Sequence, residues 1–301
     1  MLLGEHVTKL YKLDNEVIHI LVNANFTIKS GDFIFLTGYS GSGKSTFLKL
    51  LSGEESPIHG QIKFNNFTIH DLNESAYLKY RQNLGVIYQD YKLIEHKTVV
   101  ENITFVLEAL GYKNNKIRSI IEEVLSIVQL EHRAYSYPQQ LSGGEKRRVT
   151  IARAIAINPM LILADEPTGD LDPYNTEIIM QILKKISEKG ATIVMATHHV
   201  ELLTIIPKAK YWYLNEGYLK LNNTYDDIVK SYFQKINRKN PQKKTKVQKE
   251  LLKTLPNNLQ IKIQKMPKTV LDNLQYLTPK ILQDYYEINT KELQQLLKIL
   301  V

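Results

Sequence analysis

Gly38-Tyr39-Ser40-Gly41-Ser42-Gly43-Lys44-Ser45-Thr46 follows directly on the apolar run Phe33-Ile34-Phe35-Leu36-Thr37 and leads into Phe47-Leu48-Lys49-Leu50-Leu51. Strand formers, a glycine loop and helix formers, in that order, give a G-x-x-x-x-G-K-[ST] string its chemical meaning. Glycines let backbone N–H groups curl around phosphate oxygens where a Cβ would obstruct the approach. The start of the following helix adds a partial positive charge. Lys44 is the expected contact to the β and γ phosphates of ATP, and the Ser45 hydroxyl an expected ligand of Mg²⁺. The alternative is a Gly/Ser-rich surface turn.

A second apolar run, Met160-Leu161-Ile162-Leu163-Ala164, reads as a buried parallel strand and ends in Asp165-Glu166-Pro167. A carboxylate at the carboxyl end of such a strand lies where open α/β sheets bind ligands. Asp165 is expected in the Mg²⁺ shell, directly or through water. Glu166 is placed to polarise the attacking water, as a base or by orienting it. Adjacent acids after a strand also suit a plain helix start, and it is the glycine loop that favours the catalytic reading. The fold expected is α/β, a P-loop NTPase.

Further along stands Leu141-Ser142-Gly143-Gly144-Glu145. With this string the chain resembles the nucleotide-binding subunits of ATP-binding-cassette (ABC) systems, whose signature it is. The resemblance covers residues 1 to about 222. It implies a mainly parallel core sheet, an N-terminal antiparallel β part and a helical signature subdomain at about 90–155. By the same resemblance Tyr11 stacks on adenine, although a strand-end core residue is the other reading. Gln89 contacts Mg²⁺ and the attacking water, Asp172 belongs to a loop that communicates between subunits, and His198 contacts the γ-phosphate. Nucleotide contacts are implied for Tyr11, Gly38, Tyr39, Ser40, Gly41, Ser42, Gly43, Lys44, Ser45, Thr46, Gln89, Ser142, Gly143, Gly144, Glu145, Asp172 and His198. The catalytic set is Glu166, His198, Lys44 and Gln89, and the metal set is Ser45, Gln89 and Asp165. Departures from the family pattern are Asp170 for Asn, His199 for Asp, and Lys146-Arg147 for a frequent Gln pair; none removes a catalytic group.

In the family, the signature helix covers the γ-phosphate held by the opposite subunit. One cradle and one signature per chain therefore imply a head-to-tail homodimer formed on ATP binding. The wording of Gln89-Asp90-Tyr91-Lys92-Leu93-Ile94 resembles the branch that serves bacterial cell division. That branch implies docking under an FtsX-like integral membrane subunit at the cytoplasmic face of the cell membrane, to control peptidoglycan hydrolases. The alternative is a lipoprotein-release or export ATPase of the LolD/MacB type. Soluble members acting on nucleic acid usually carry two cassettes, so no nucleic-acid partner is expected.

The chain has 301 residues and no cysteine, which excludes disulfides and thiolate metal sites and suits a reducing cytoplasm. Its first residues lack a signal-peptide pattern, and no apolar run approaches the roughly 18 residues of a membrane span. The net charge of +8 sits at one end: Lys230 to Val301 holds 15 Lys/Arg against 5 Asp/Glu. The domains expected are the cassette over 1–228, a basic linker over 229–256 and a small α-helical extension over 257–301. The linker mixes Lys, Arg, Asn and Gln. Thr278-Pro279 and the Leu293, Leu296, Leu297, Leu300 stripe mark helices. This tail resembles nothing in the family, and its readings are self-packing, a protein partner, a lipid surface or, least of all, DNA.

Overall fold

The computed structural model describes residues 2–13 and 16–228. The chain divides into two compact units, Met1–Asn223 and Thr224–Val301. Of the second, residues 224–228 are described, a helix start at which Thr224 and Asp227 cap one another. The basic linker and the helical extension lie outside the described residues.

The first unit is α/β with two sheets. An antiparallel sheet is built from β1 (Leu2–Leu13), β2 (Glu16–Ile28), β4 (His59–Phe64) and β5 (Phe67–Thr68), in the order β2-β1-β4-β5. The other has the order β10-β9-β3-β8-β7-β6. Its strands are β3 (Phe33–Thr37), β6 (Leu84–Ile87), β7 (Leu161–Asp165), β8 (Thr192–Thr197), β9 (Lys210–Asn215) and β10 (Tyr218–Asn223). All its pairings are parallel except β9 with β10. Strands covered on both faces carry unbroken apolar runs, and every residue of β3 and β8 is buried. The second apolar run starts one residue later than expected: Met160 is exposed and the strand begins at Leu161.

Helix α1 (Lys44–Ser52) lies in the core between the sheets. Phe26 of β2, Phe47 of α1 and the fully buried Trp212 of β9 meet there, their ring centroids 5.1 to 6.2 Å apart. Edge-on contacts of this kind add to the area buried and fix the orientation of the cradle helix. The remaining helices are α2 (Glu74–Arg81), α3 (Val99–Ala109), α4 (Asn114–Val128), α5 (Gly143–Ile155) and α6 (Pro173–Glu188). Helices α3, α4 and α5 pack on one another, and α5 also packs on β6, so it ties the helical layer to the sheet.

Asn102 on α3 organises the segment between β6 and α3. It is 1% exposed, and its amide nitrogen donates to the carbonyls of Ile94, Lys97 and Thr98 while its oxygen accepts from Ile94 N–H. Replacing it by alanine loses all four bonds and takes this partner from the part-buried Ile94 N–H and Lys97 carbonyl. Asn102→Ala should cost about 2 kcal/mol of stability, read as a lower denaturant midpoint; an unchanged midpoint would show the segment to be held otherwise.

Candidate functional site: a nucleotide cradle and its hydrolysis cluster

Strand β3 delivers the chain to Gly38, and the loop 38–43 turns it into α1. Gly43 stands at the N-cap with φ 99°, and a Cβ there would lie 2.8 Å from Cγ2 of Ile20. Only glycine meets both conditions. No side chain caps α1 and no acid stands in its first turn. The first N–H groups of a helix lack intrahelical partners, so this end presents uncompensated donors and a positive dipole end. Ser40, Gly41 and Ser45 are exposed around it. The arrangement suits an external anion with several oxygens.

Lys44 is buried, and its Nζ donates to the carbonyls of Gly38 and Tyr39 at 2.9 and 3.0 Å. Burial pulls its pKa down, while the Glu166 carboxylate, 3.6 Å away, resists the fall. Glu166 follows β7 with φ 47°, a left-handed conformation unusual for its residue type, held by its N–H donating to Ala196 O and its carbonyl accepting from Gly169 N–H. Such a conformation costs roughly 1–2 kcal/mol and is characteristic of functional turns. Glu166 Oε1 also lies 2.9 Å from His198 Nδ1 at the end of β8. An ionised carboxylate only accepts, so Nδ1 then carries the proton. Three separate strand ends thus bring Lys44, Glu166 and His198 together.

Asp165 precedes them. Burial raises its pKa and the Glu166 charge adds to this, while the Ser45 hydroxyl and Lys44 oppose. Its Oδ1 and Glu166 Oε2 are buried without a hydrogen-bond partner. Among the described residues no cluster of three or more His, Cys, Asp or Glu could cage a metal. A hard cation that keeps its waters and borrows phosphate oxygens needs no cage. One carboxylate and one hydroxyl, as Asp165 and Ser45 supply, fit Mg²⁺. Gln89, in the segment after β6, is exposed; the guanidinium of Arg147 holds its carbonyl at 2.7 Å and that of Tyr88 at 2.6 Å.

The signature forms a second group. Ser142 caps α5 in a reciprocal box with Glu145: its N–H and hydroxyl donate to Glu145 Oε2 at 2.8 and 2.9 Å. Burial pushes the Glu145 carboxyl up, but the Ser142 bonds and Arg133, at 2.8 Å, outweigh it and hold it low. Glu145 is thus engaged within its own chain rather than open to a ligand. Asp172 is likewise the cap of α6, accepting from Asn175 N–H at 2.9 Å. Gly144 abuts Asn175, whose amide a Cβ would overlap, so the starts of α5 and α6 are locked together. Ser142 and Gly143 remain exposed. Tyr11 on β1 is half-buried, outside the core, with Lys9 Nζ 5.1 Å from its ring centroid. Sequence reasoning missed Arg147 as the clamp on the Gln89 segment, although its departure from the family pattern was a signal.

Comparisons with known proteins agree with this geometry. The ABC transporter family profile matches residues 21–169. The chain is 42% identical over 200 residues to the cell division ATP-binding protein FtsE of Bacillus subtilis (strain 168), covering 66% of this chain and 88% of the relative. It is 35% identical over 278 residues to the methionine import ATP-binding protein MetN 2 of Acinetobacter baylyi, covering 92% of this chain and 80% of that one. The second match necessarily extends beyond residue 228, so the tail does have counterparts in the family, contrary to the sequence reading. Among solved structures, the dimeric post-hydrolysis state of the ATP-binding cassette MJ0796 with ADP and Pi is similar at a TM-score of 0.66 and 36% identity, over 74% of this chain and all of that one. Identity at this level along nearly a whole FtsE chain, on a cassette fold with an uncapped phosphate helix, makes this chain a member of the ABC family and an ATPase.

Proposed function

We propose that this ATPase serves bacterial cell division, as the cytoplasmic-face subunit under an FtsX-like integral membrane protein, and that its cycle controls peptidoglycan hydrolases. The observation that carries the reading is the 42% identity to the Bacillus FtsE over 88% of its length. The Gln89-Asp90-Tyr91-Lys92-Leu93-Ile94 wording supports it. Among the described residues no helix is long and apolar enough to cross a membrane, which agrees with attachment through a partner.

In this reading Gly38 to Thr46 cradle the phosphates and Tyr11 stacks on adenine. Ser45, Asp165 and Gln89 hold Mg²⁺, which neutralises charge on the phosphate oxygens when bound. Glu166 accepts a proton from the attacking water or orients it, with Lys44 and His198 fixing its carboxylate. Ser142 and Gly143 act on the nucleotide of a second copy in a head-to-tail dimer, where the half-charges of two helix starts converge on one γ-phosphate. ATP then binds the closed pair more tightly than the open one, and loss of the γ-phosphate removes that preference. In this reading the ATPase domain is residues 1–228.

One observation favours a second reading. The methionine import relative matches 92% of this chain and so runs into the tail, whereas the FtsE match covers 66%. In that reading the chain energises solute import. Depletion of the chain in its host separates the two. Filamentous cells with normal methionine uptake support division; normal division with lost uptake overturns it, and mislocalised lipoproteins would turn the assignment to the release branch.

A further inference from the structure

The hydrolysis cluster has a second layer next to His198. The His199 ring lies against the His198 ring, centroids 4.2 Å apart and planes inclined at 35°. His199 Nδ1 lies 2.9 Å from Glu201 Oε1, and its backbone N–H donates to Oγ1 of the fully buried Thr197. Glu201 stands on the 3₁₀ turn Val200–Ile205, which follows β8 directly. His198 is therefore bonded to Glu166 through Nδ1 and in ring contact with an imidazole that is itself anchored to Glu201.

We propose that His199, anchored by Glu201, is a positioning residue for ATP hydrolysis: it holds the His198 ring in the plane that keeps Nδ1 on Glu166. This rests on the reading of Glu166 and His198 as the hydrolysis pair. A histidine free to turn about χ1 and χ2 samples several ring orientations, and only one of them presents Nδ1 to Glu166 Oε1. Stacking removes the others.

The groups that face His199 are Glu201 on its own turn, His198 beside it, and Glu166 and Asp170 in the segment after β7; Lys44 of α1 lies behind Glu166. The Glu201 hydrogen bond raises the His199 pKa, burial opposes this, and the charges of Glu201, Glu166 and Asp170 assist. A raised pKa means that the charged anchor is complete on the acid side and is lost as pH rises through the His199 titration. Turnover should therefore carry an alkaline limb that belongs to His199.

The test is the pH dependence of kcat and KM for ATP in the full chain, for wild type, His199→Gln, Glu201→Gln and Glu166→Gln. His199→Gln should lower kcat about 10-fold with little change in KM and should lose the limb. Glu201→Gln should keep the limb but move it to lower pH, since the proton leaves sooner without its carboxylate. A merely structural role for His199 would lower the melting temperature and leave the limb of Glu201→Gln where it was. Wild-type kcat and an unmoved limb in both variants overturn the proposal while Glu166→Gln is dead. Should Glu166→Gln itself turn over normally, the hydrolysis pair on which the proposal stands falls first.

Discussion

Glu166→Gln should stop turnover while leaving nucleotide binding in place. The loss expected in kcat is about 10²–10⁴-fold, the range for removing a positioned general base, with Kd for ATP changed by no more than about two-fold. The geometry separates these effects. Lys44 keeps its two carbonyl partners at Gly38 and Tyr39 whatever stands at 166, so the cradle retains its shape. A glutamine oxygen can still accept from His198 Nδ1. What the amide lacks is a basic oxygen and the negative charge beside the buried Lys44, whose proton Glu166 helps to retain. Phosphate release and titration with a fluorescent nucleotide measure the two quantities separately. Wild-type phosphate release by this variant would remove Glu166 from the chemistry.

Much of this site was legible because its elements are local. The β3–loop–α1 unit contains its own explanation: an apolar run, glycines where φ turns positive, and a helix start without an acid. Asp165 and Glu166 were legible for the same reason, since a buried strand has to end somewhere and polar residues mark the place. The left-handed conformation of Glu166 was not, because glutamate carries no preference for it and the constraint comes from Ala196 on the neighbouring strand.

Two family motifs also hid a simpler local role. Ser142 with Glu145 three residues on is a capping box, and Asp172 before Pro173 is an N-cap. Both side chains are engaged in their own chain, which the family reading alone passed over. The clamp of Arg147 on Tyr88 and Gln89 joins segments that only the fold brings together. Which faces of α3 and α4 meet α5 was not readable from sequence, because an apolar stripe declares burial without naming the surface it is buried against.

Two inactive chains should restore activity to one another when mixed. Lys44→Ala removes the cation of the cradle, and Ser142→Arg puts a long side chain where a closing partner must approach; each alone should hydrolyse ATP at least about 10²-fold more slowly than wild type. In a head-to-tail pair every site takes its cradle from one copy and its signature from the other. A mixed dimer therefore has one site with both lesions and one with neither. Random pairing makes half the dimers mixed, each with one of its two sites intact, so an equimolar mixture should recover about a quarter of wild-type turnover if sites act independently. Were the signature to act on its own chain's nucleotide, every site in the mixture would carry a lesion and nothing would return. Ser142 and Gly143 are exposed, whereas Glu145 and Gly144 are buried against Arg133 and Asn175. The part of the signature that can reach a second molecule is thus the part that the mixing experiment tests. Recovery to about a quarter, absent when both lesions are placed in one chain and that chain is mixed with itself, would establish the composite site; failure to recover, with both variants folded and binding each other, would abolish it.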